Sequence, residues 1–186
     1  MRTVHLEKAK PEELDAVIRF YDDVIDNTPG IEDTARWRKG AHPTAEGLKT
    51  SIERGNLYLC KENGEIVGAL DYPMCQGDDY HTINWKEKLP DEQVATVHIL
   101  GVKPGLQGTG IASAIIRDAI ALARANGMKA VRLDTLASNI PAQHLYESLG
   151  FEFRGKQHQY AENTGWLDFF FYEFTAMDGW QPDRGC

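Results

Sequence analysis

The sequence predicts an α/β domain of the α+β kind, with helices flanking one mixed and mostly antiparallel sheet. Three observations predict it. Strand-like and helix-like periods alternate along the chain; two pairs of apolar runs are joined by short turns, the mark of antiparallel hairpins; and one strand–helix–strand run supplies a parallel pair. The 186 residues are the size of one ordinary domain, and 42% of them are hydrophobic, enough for a sizeable core. Residues 1–176 are expected to form that domain, with 177–186 as a terminal tail.

Each element has its own signal. "RTVHLEKA" (2–9) alternates as a first strand. In "KPEELDAVIRFYDDVI" (10–25), Pro11 suits a first helical turn and Leu14, Val17, Ile18, Tyr21 and Ile25 share one face. "HPTAEGLKTSIERGN" (42–56) gives a weaker helix ending at Gly55. "NLYLCKENGEIVGALDYPM" (56–74) is a pair of apolar runs around Asn63-Gly64, a short hairpin signal. "CQGDDYHTINWKEKLPDE" (75–92) has no period and mixes aromatics with charges, as a long functional or mobile loop does. "QVATVHILGV" (93–102) reads as a central strand, "TGIASAIIRDAIALARANG" (109–127) as a helix closed by Asn126-Gly127, and "KAVRLDT" (129–135) as a second strand. "IPAQHLYESLG" (140–150) is a short helix. "FEFRGKQHQY" (151–160) and "WLDFFFYEFTA" (166–176) are strands joined by the turn "AENTG" (161–165).

Composition excludes several classes of protein. The net charge is −8, with twelve cations against seventeen anions in residues 1–90 and eight against eleven in the rest, so no half is basic enough to favour nucleic acid. No apolar run approaches the ~20 residues that cross a bilayer, and the first residues lack a signal-peptide core, so a cytoplasmic protein with no membrane partner is expected. Cys60, Cys75 and Cys186 show neither C-x-x-C spacing nor an even count. Reduced thiols are therefore expected, with no disulfide scaffold and no metal site.

The stretch "PGLQGTGIAS" (104–113) places Gly105, Gly108 and Gly110 between an apolar strand and a long helix. Such a junction makes an anion site, because unpaired N–H groups of the first helical turn and the helix dipole converge on one point. The bland alternative is that the glycines only make turns. A phosphate loop of the G-x-x-x-x-G-K-[ST] type lacks its lysine and hydroxyl here. A dinucleotide fingerprint fits "GTGIAS" with Asp134 as the ribose acid, but the five residues "KPGLQ" separate Val102 from Gly108, where that fingerprint turns straight out of the strand.

A third pattern is more specific. Gln107-Gly108-Thr109-Gly110-Ile111-Ala112 fits Q/R-x-x-G-x-G/A, with Val102-x-Pro104 ahead of it, and downstream come Asn139 and "AQHLYESLGF" (142–151). In that order these resemble the two motifs of the GNAT superfamily of N-acetyltransferases, closely over residues 93–155. Ala112 replaces a commoner glycine and Leu106 a frequent aromatic; both are small or apolar. The resemblance implies a sheet with splayed central strands and acetyl-CoA as cofactor. It assigns the pyrophosphate to the N–H groups of Gln107, Gly108, Thr109, Gly110, Ile111 and Ala112, with Ile111 and Ile115 anchoring the helix. The pantetheine arm lies along the backbone of Leu100, Gly101 and Val102, Asn139 and Ala142 complete the cofactor set, and Gly101 is placed to permit a bulge.

The resemblance further implies acetyl transfer to a primary amine, of a small molecule or a peptide, by direct attack on the thioester. Tyr146 stands where the family carries a tyrosine that protonates the leaving thiolate; without the motif it reads as a core aromatic. His98 stands where some members carry a base; its alternative is a hydrogen-bonded core histidine, with water relayed to Glu92 or Asp91 taking the proton instead. Trp37, Tyr72, Trp85 and Tyr160 are candidates to line the acceptor pocket. Asp22, Asp26, Glu32, Asp78 and Asp79 would favour a cation there, or are simply solvated surface. The competing reading is a module of the same fold that binds acyl-CoA without turnover. Either reading allows a monomer or a homodimer.

Overall fold

A computed structural model describes residues 3–161, 165–175 and 177; most of the expected tail and the centre of the 161–165 turn lie outside the described residues. One seven-stranded sheet runs in the order β1-β2-β3-β4-β5-β7-β6, with strands Leu6–Lys8 (β1), Leu57–Glu62 (β2), Glu65–Asp71 (β3), Val94–Val102 (β4), Ala130–Leu136 (β5), Glu152–Ala161 (β6) and Gly165–Phe174 (β7). β4 and β5 are parallel, and the other neighbouring pairs are antiparallel. The helices are Leu14–Asn27 (α1), Ile31–Ala35 (α2), Ala45–Glu53 (α3), Ile111–Ala125 (α4) and Ile140–Ser148 (α5).

The expected elements are present, and α2 is an addition. Its five residues lie within a stretch too polar to show a period, held between Gly30 and Arg36, both in the left-handed region. Asn63 and Gly64 both have positive φ (52° and 82°), as the tight hairpin turn between β2 and β3 requires.

Helices cover both sheet faces because both carry apolar side chains. On one face α4 buries Ile111, Ile115, Ile116, Ala119 and Ile120 against Val97, Val131, Leu133 and Tyr72. On the other, Val17, Phe20, Tyr21 and Val24 of α1 and Leu48 and Ile52 of α3 pack on Leu57, Leu59 and Ala69. Deleting a buried branched side chain such as Ile115 would cost about 2–5 kcal/mol, so these two layers fix the strand positions that the site depends on.

The register of β4 carries the main departure from expectation. Ala69 pairs with Gly101 and Asp71 with His98, so two steps on β3 oppose three on β4 and the strand bulges. The bulge centres on Ile99, at φ 43°, and not on Gly101. Tyr21 supports it by donating its hydroxyl to the Ile99 carbonyl at 2.8 Å. Gly101 serves a different purpose: a Cβ there would lie 3.2 Å from the rings of both Phe20 and Tyr21, so glycine lets α1 approach the sheet.

Candidate active site

Strands β4 and β5 start together and separate. Their register runs from Val94↔Ala130 to Val97↔Leu133 and stops there; beyond it β5 stays paired with β7, as far as Leu136↔Phe169. The Ile99 bulge turns β4 aside at that point. Burial along β4 follows: Val94–Val97 are buried, His98–Leu100 are half-buried, and Gly101 and Val102 are buried again. The Lys103 N–H donates to the Val67 carbonyl on β3 at 2.9 Å, so by antiparallel alternation the backbone groups of Val102 turn to the opposite edge, toward the gap.

The gap opens into a cavity of about 730 Å³. Leu100, Val102, Gln107, Gly108, Gly110, Ala112, Asn139, Ala142 and Tyr146, all expected around the cofactor, line it. Of the other three, Thr109 folds its hydroxyl back to the Leu106 carbonyl at 2.6 Å, Ile111 is fully buried in the core with Ile115, and Gly101 packs against α1. Gly105, Gly108 and Gly110 have φ of 80°, 77° and 89°, and Gly110 is the N-cap of α4, where no described side chain caps the helix. Those positive φ values favour glycine, and the first-turn N–H groups of α4 remain available for an anion. The residues present therefore fit a pyrophosphate. Asn139 caps α5 by accepting from the Ala142 N–H at 3.3 Å, which fixes that helix beside the cleft. Gln107 donates to Thr28 at 2.8 Å and Ser138 to the Thr34 carbonyl at 3.2 Å, so the α1–α2 segment reaches both rims.

Tyr146 is 6% exposed, its ring packed against Phe151 and Tyr172 while the residue lines the cavity. Burial first, and the Asp134 carboxylate second, push its phenol well above the usual tyrosine range, so it carries its proton at any ordinary pH. His98 also lines the cavity, with Nδ1 3.9 Å from Asp134 Oδ1. It is partly exposed and not the sealed core histidine of the alternative reading.

Among the four aromatics expected around the acceptor, Trp37 lines the cavity and the others do not. Tyr72 is fully buried and donates to the Ala119 carbonyl at 2.9 Å, because it falls on the α4 face of the sheet. Tyr160 is 62% exposed on the outer strand β6. Trp85 lies behind the wall: it stacks on Tyr80 at 5.7 Å, donates its indole N–H to the Tyr80 carbonyl at 2.6 Å, and has the Arg132 guanidinium 4.2 Å from its ring. Of the five acids named, Asp79 alone lines the cavity. Asp26 is paired with Lys39 and Glu32 with Arg38 on the surface.

The 75–92 segment is anchored from below. Arg132, 1% exposed, meets Glu173 with N···O distances of 3.0 and 2.8 Å, and also donates to Gln76 Oε1 and the Glu87 carbonyl at 2.6 Å each. Glu173 accepts from the Lys86 N–H at 2.9 Å. Tyr80, held by this frame, donates to Asp134 at 2.6 Å.

The cavity also takes in residues that sequence patterns missed. His42, in the α2–α3 connection, faces Trp37 with ring centroids 6.5 Å apart, and burial pushes its imidazole below the usual histidine range. Asp134, weighed only as a ribose acid, sits where β5 outruns β4. Leu136, Pro141, Leu145 and Phe169 complete the apolar wall. No motif marks His42, since it reaches the cleft through a loop; the place of Asp134 was legible only once the register was known.

Fold and cleft together define an α+β protein with a cavity between parted strands that reaches a glycine-rich helix start. Residues 17–151 match the acetyltransferase (GNAT) family, and the chain belongs to that family. An uncharacterized N-acetyltransferase of Methanocaldococcus jannaschii is 31% identical over 100 residues, covering 54% of this chain and 40% of that protein. A mycothiol acetyltransferase of Thermomonospora curvata is 29% identical over 138 residues, covering 66% of this chain and 41% of that one. The chain thus spans about two fifths of the length of these curated relatives. Among solved structures, a GNAT-family acetyltransferase from Streptococcus agalactiae superposes with TM-score 0.73 at 16% identity, covering 91% of this chain and 94% of that one. A Salmonella typhimurium protein solved with its cofactor acetyl-CoA gives 0.67 at 18% identity, covering 99% and 100%. At these identities the structures support the fold.

Proposed function

We propose that the protein is an acetyl-CoA-dependent N-acetyltransferase acting on a primary amine. The observation that carries this reading is the end of β4–β5 pairing at Val97 beside an uncapped, glycine-lined start of α4, in one continuous cavity. When bound, acetyl-CoA supplies an activated acetyl thioester for direct attack by the amine. The N–H groups of Gln107, Gly108, Gly110, Ile111 and Ala112 would hold the pyrophosphate without a lysine, that of Thr109 being donated to the Leu106 carbonyl at 3.3 Å. Leu100 and Val102 offer backbone groups to the acyl arm along the free edge of β4, and Asn139 and Ala142 bound the opposite rim. Trp37 is the acceptor-side aromatic of the proposal.

Tyr146 is the general acid. Its buried phenol stays protonated and would donate a hydrogen bond to the sulfur as the carbon–sulfur bond breaks, stabilising the charge that develops there, while the proton given up by the amine as it bonds to carbon is the one the thiolate finally takes. His98, on the β4 rim next to Asp134, receives the earlier proton, whose loss frees the lone pair of the amine. Tyr146→Phe keeps the ring and its packing while removing the donor, so kcat should fall by about a hundredfold, the low end for acid assistance, with little change in acetyl-CoA affinity. Thiol release with a panel of primary amines reads this directly; unaltered turnover in a folded Tyr146→Phe protein, with chemistry rate-limiting, removes Tyr146 from the mechanism. His98→Gln should lower the rate without lowering the melting temperature, the reverse of what a purely structural histidine would give.

A further inference from the structure

We propose that the acceptor is a compact cationic amine bearing no carboxylate, and that Asp134 is the residue that selects it. The proposal rests on the acyl-transfer reading above. Among the described residues lining the cavity, the ionic side chains are Asp79 and Asp134, and no lysine or arginine joins them. Arg36 lies between the lining residues Ala35 and Trp37 without itself lining the cavity. His42, driven toward its neutral form by burial, supplies no fixed positive charge. A ligand carboxylate would therefore enter a cleft lined by two carboxylates, with no lysine or arginine in the lining, His98 already beside Asp134, and the buried Arg36 Nε behind the wall, whereas an ammonium would meet its counter-charge directly.

Asp134 is shaped for that task. Its side chain is 26% exposed, set into the cleft where β5 has lost β4 and keeps only β7 as a neighbour. Oδ1 accepts from Tyr80 at 2.6 Å, which fixes the carboxylate plane, while Oδ2 accepts no hydrogen bond from a described residue. The hydroxyl of Tyr146, nearly buried in the same wall, is likewise without a hydrogen-bond partner among the described residues. His98 stands 3.9 Å from the anchor, placed to take the first proton from an ammonium drawn there and so free its lone pair, while the second proton, lost as the carbon–nitrogen bond forms, goes to the departing thiolate. Ala35, Trp37, Leu136 and Phe169 give the carbon body an apolar seat. The cavity must hold the acyl arm as well, so the body is small.

Matched pairs differing only by a carboxylate isolate this property in the wild-type protein: tyramine and tyrosine, histamine and histidine, putrescine and ornithine. With acetyl-CoA, thiol release should give kcat/KM at least about tenfold higher for the decarboxylated member, the scale of one charge-assisted contact. Asp134→Asn should raise the KM for that amine about tenfold or more and leave acetyl-CoA affinity unchanged. Calorimetric titration of the same pairs into CoA-saturated protein reads the preference without turnover and without a variant. Equal or tighter binding of the carboxylated members, binding of neither member, or an unchanged KM in Asp134→Asn overturns the proposal. Loss of acetyl-CoA binding altogether would instead defeat the acyl-transfer reading, and the two failures are distinguishable.

Discussion

The phenol of Tyr80 donates a 2.6 Å hydrogen bond to the carboxylate of Asp134, joining the segment before β4 to the end of β5 at the point where β4 has turned away. Tyr80 is 1% exposed, and burial together with that carboxylate holds its phenol far above the usual range, so the donor is permanent. The contact fixes where negative charge stands in the cleft. It also makes the aperiodic 75–92 segment part of the site.

Tyr80→Phe keeps the ring between Trp85 and Phe171 but deprives Asp134 of its donor. Stability should fall by about 1.5–3 kcal/mol, the range for a hydrogen bond to a charged group, and the amine KM should rise while acetyl-CoA affinity holds. Thermal melts and steady-state kinetics check both. An unchanged KM would mean that the orientation of Asp134 does not matter to the acceptor.

The frame beneath that segment should be more sensitive still. Arg132 and Glu173 are 1% and 0% exposed at their side chains, so Glu173→Gln strands a buried guanidinium. Breaking one partner of such a pair costs about 3–5 kcal/mol, and Arg132→Met with Glu173→Leu should not recover it, since Gln76, the Glu87 carbonyl, the Lys86 N–H and Arg154 would all lose a partner. Urea denaturation measures the difference. Because Gln76, Lys86 and Glu87 hang on the same pair, amine turnover should drop further than acetyl-CoA binding in Glu173→Gln.

His42 gives a pH dependence with a definite sign. Burial lowers its pKa in the folded protein, so between that value and about 6.5 the unfolded chain binds more protons and stability rises with pH. Its share is present above about 6.5 and is lost as pH falls through the folded pKa. Exposed His81, raised chiefly by its hydrogen bond to Asp91, works the other way: its share is present below about 6.5 and lost as pH rises through its folded pKa. His42→Phe should therefore flatten the acid-side decline in melting temperature between about pH 7 and 5. A decline as steep as in wild type would show that other groups cause it.

Much of the fold was legible because period and turn chemistry are local. Asn63-Gly64 set a hairpin, and "QVATVHILGV" with the helix after it set the parallel pair. The glycine loop was legible as well, since positive φ leaves its mark on residue choice. What sequence concealed depends on register and on distant chain. The bulge falls on Ile99, a residue with no propensity for it, because Tyr21 takes its carbonyl from across the core. Tyr72, Trp85 and Tyr160 looked equivalent to Trp37 as aromatics near the right loops; which face each occupies was decided by pairing, and three of the four turned elsewhere.

Equilibrium binding of acetyl-CoA to wild type and to Gly110→Val tests the central claim most directly. Gly110 sits at φ 89°, and a Cβ there has no protein atom within 4 Å, so the valine strains the backbone and fills the space assigned to phosphate without clashing with the fold. Calorimetry should find micromolar or tighter binding to wild type, with a rise in melting temperature that NAD does not produce; ligand at 100 times Kd stabilises by about 2.7 kcal/mol. Gly110→Val should remain folded and lose about tenfold or more in affinity. A melting shift with NAD and none with acetyl-CoA, or a folded Gly110→Val protein that binds acetyl-CoA as wild type does, would contradict the assignment of the cleft.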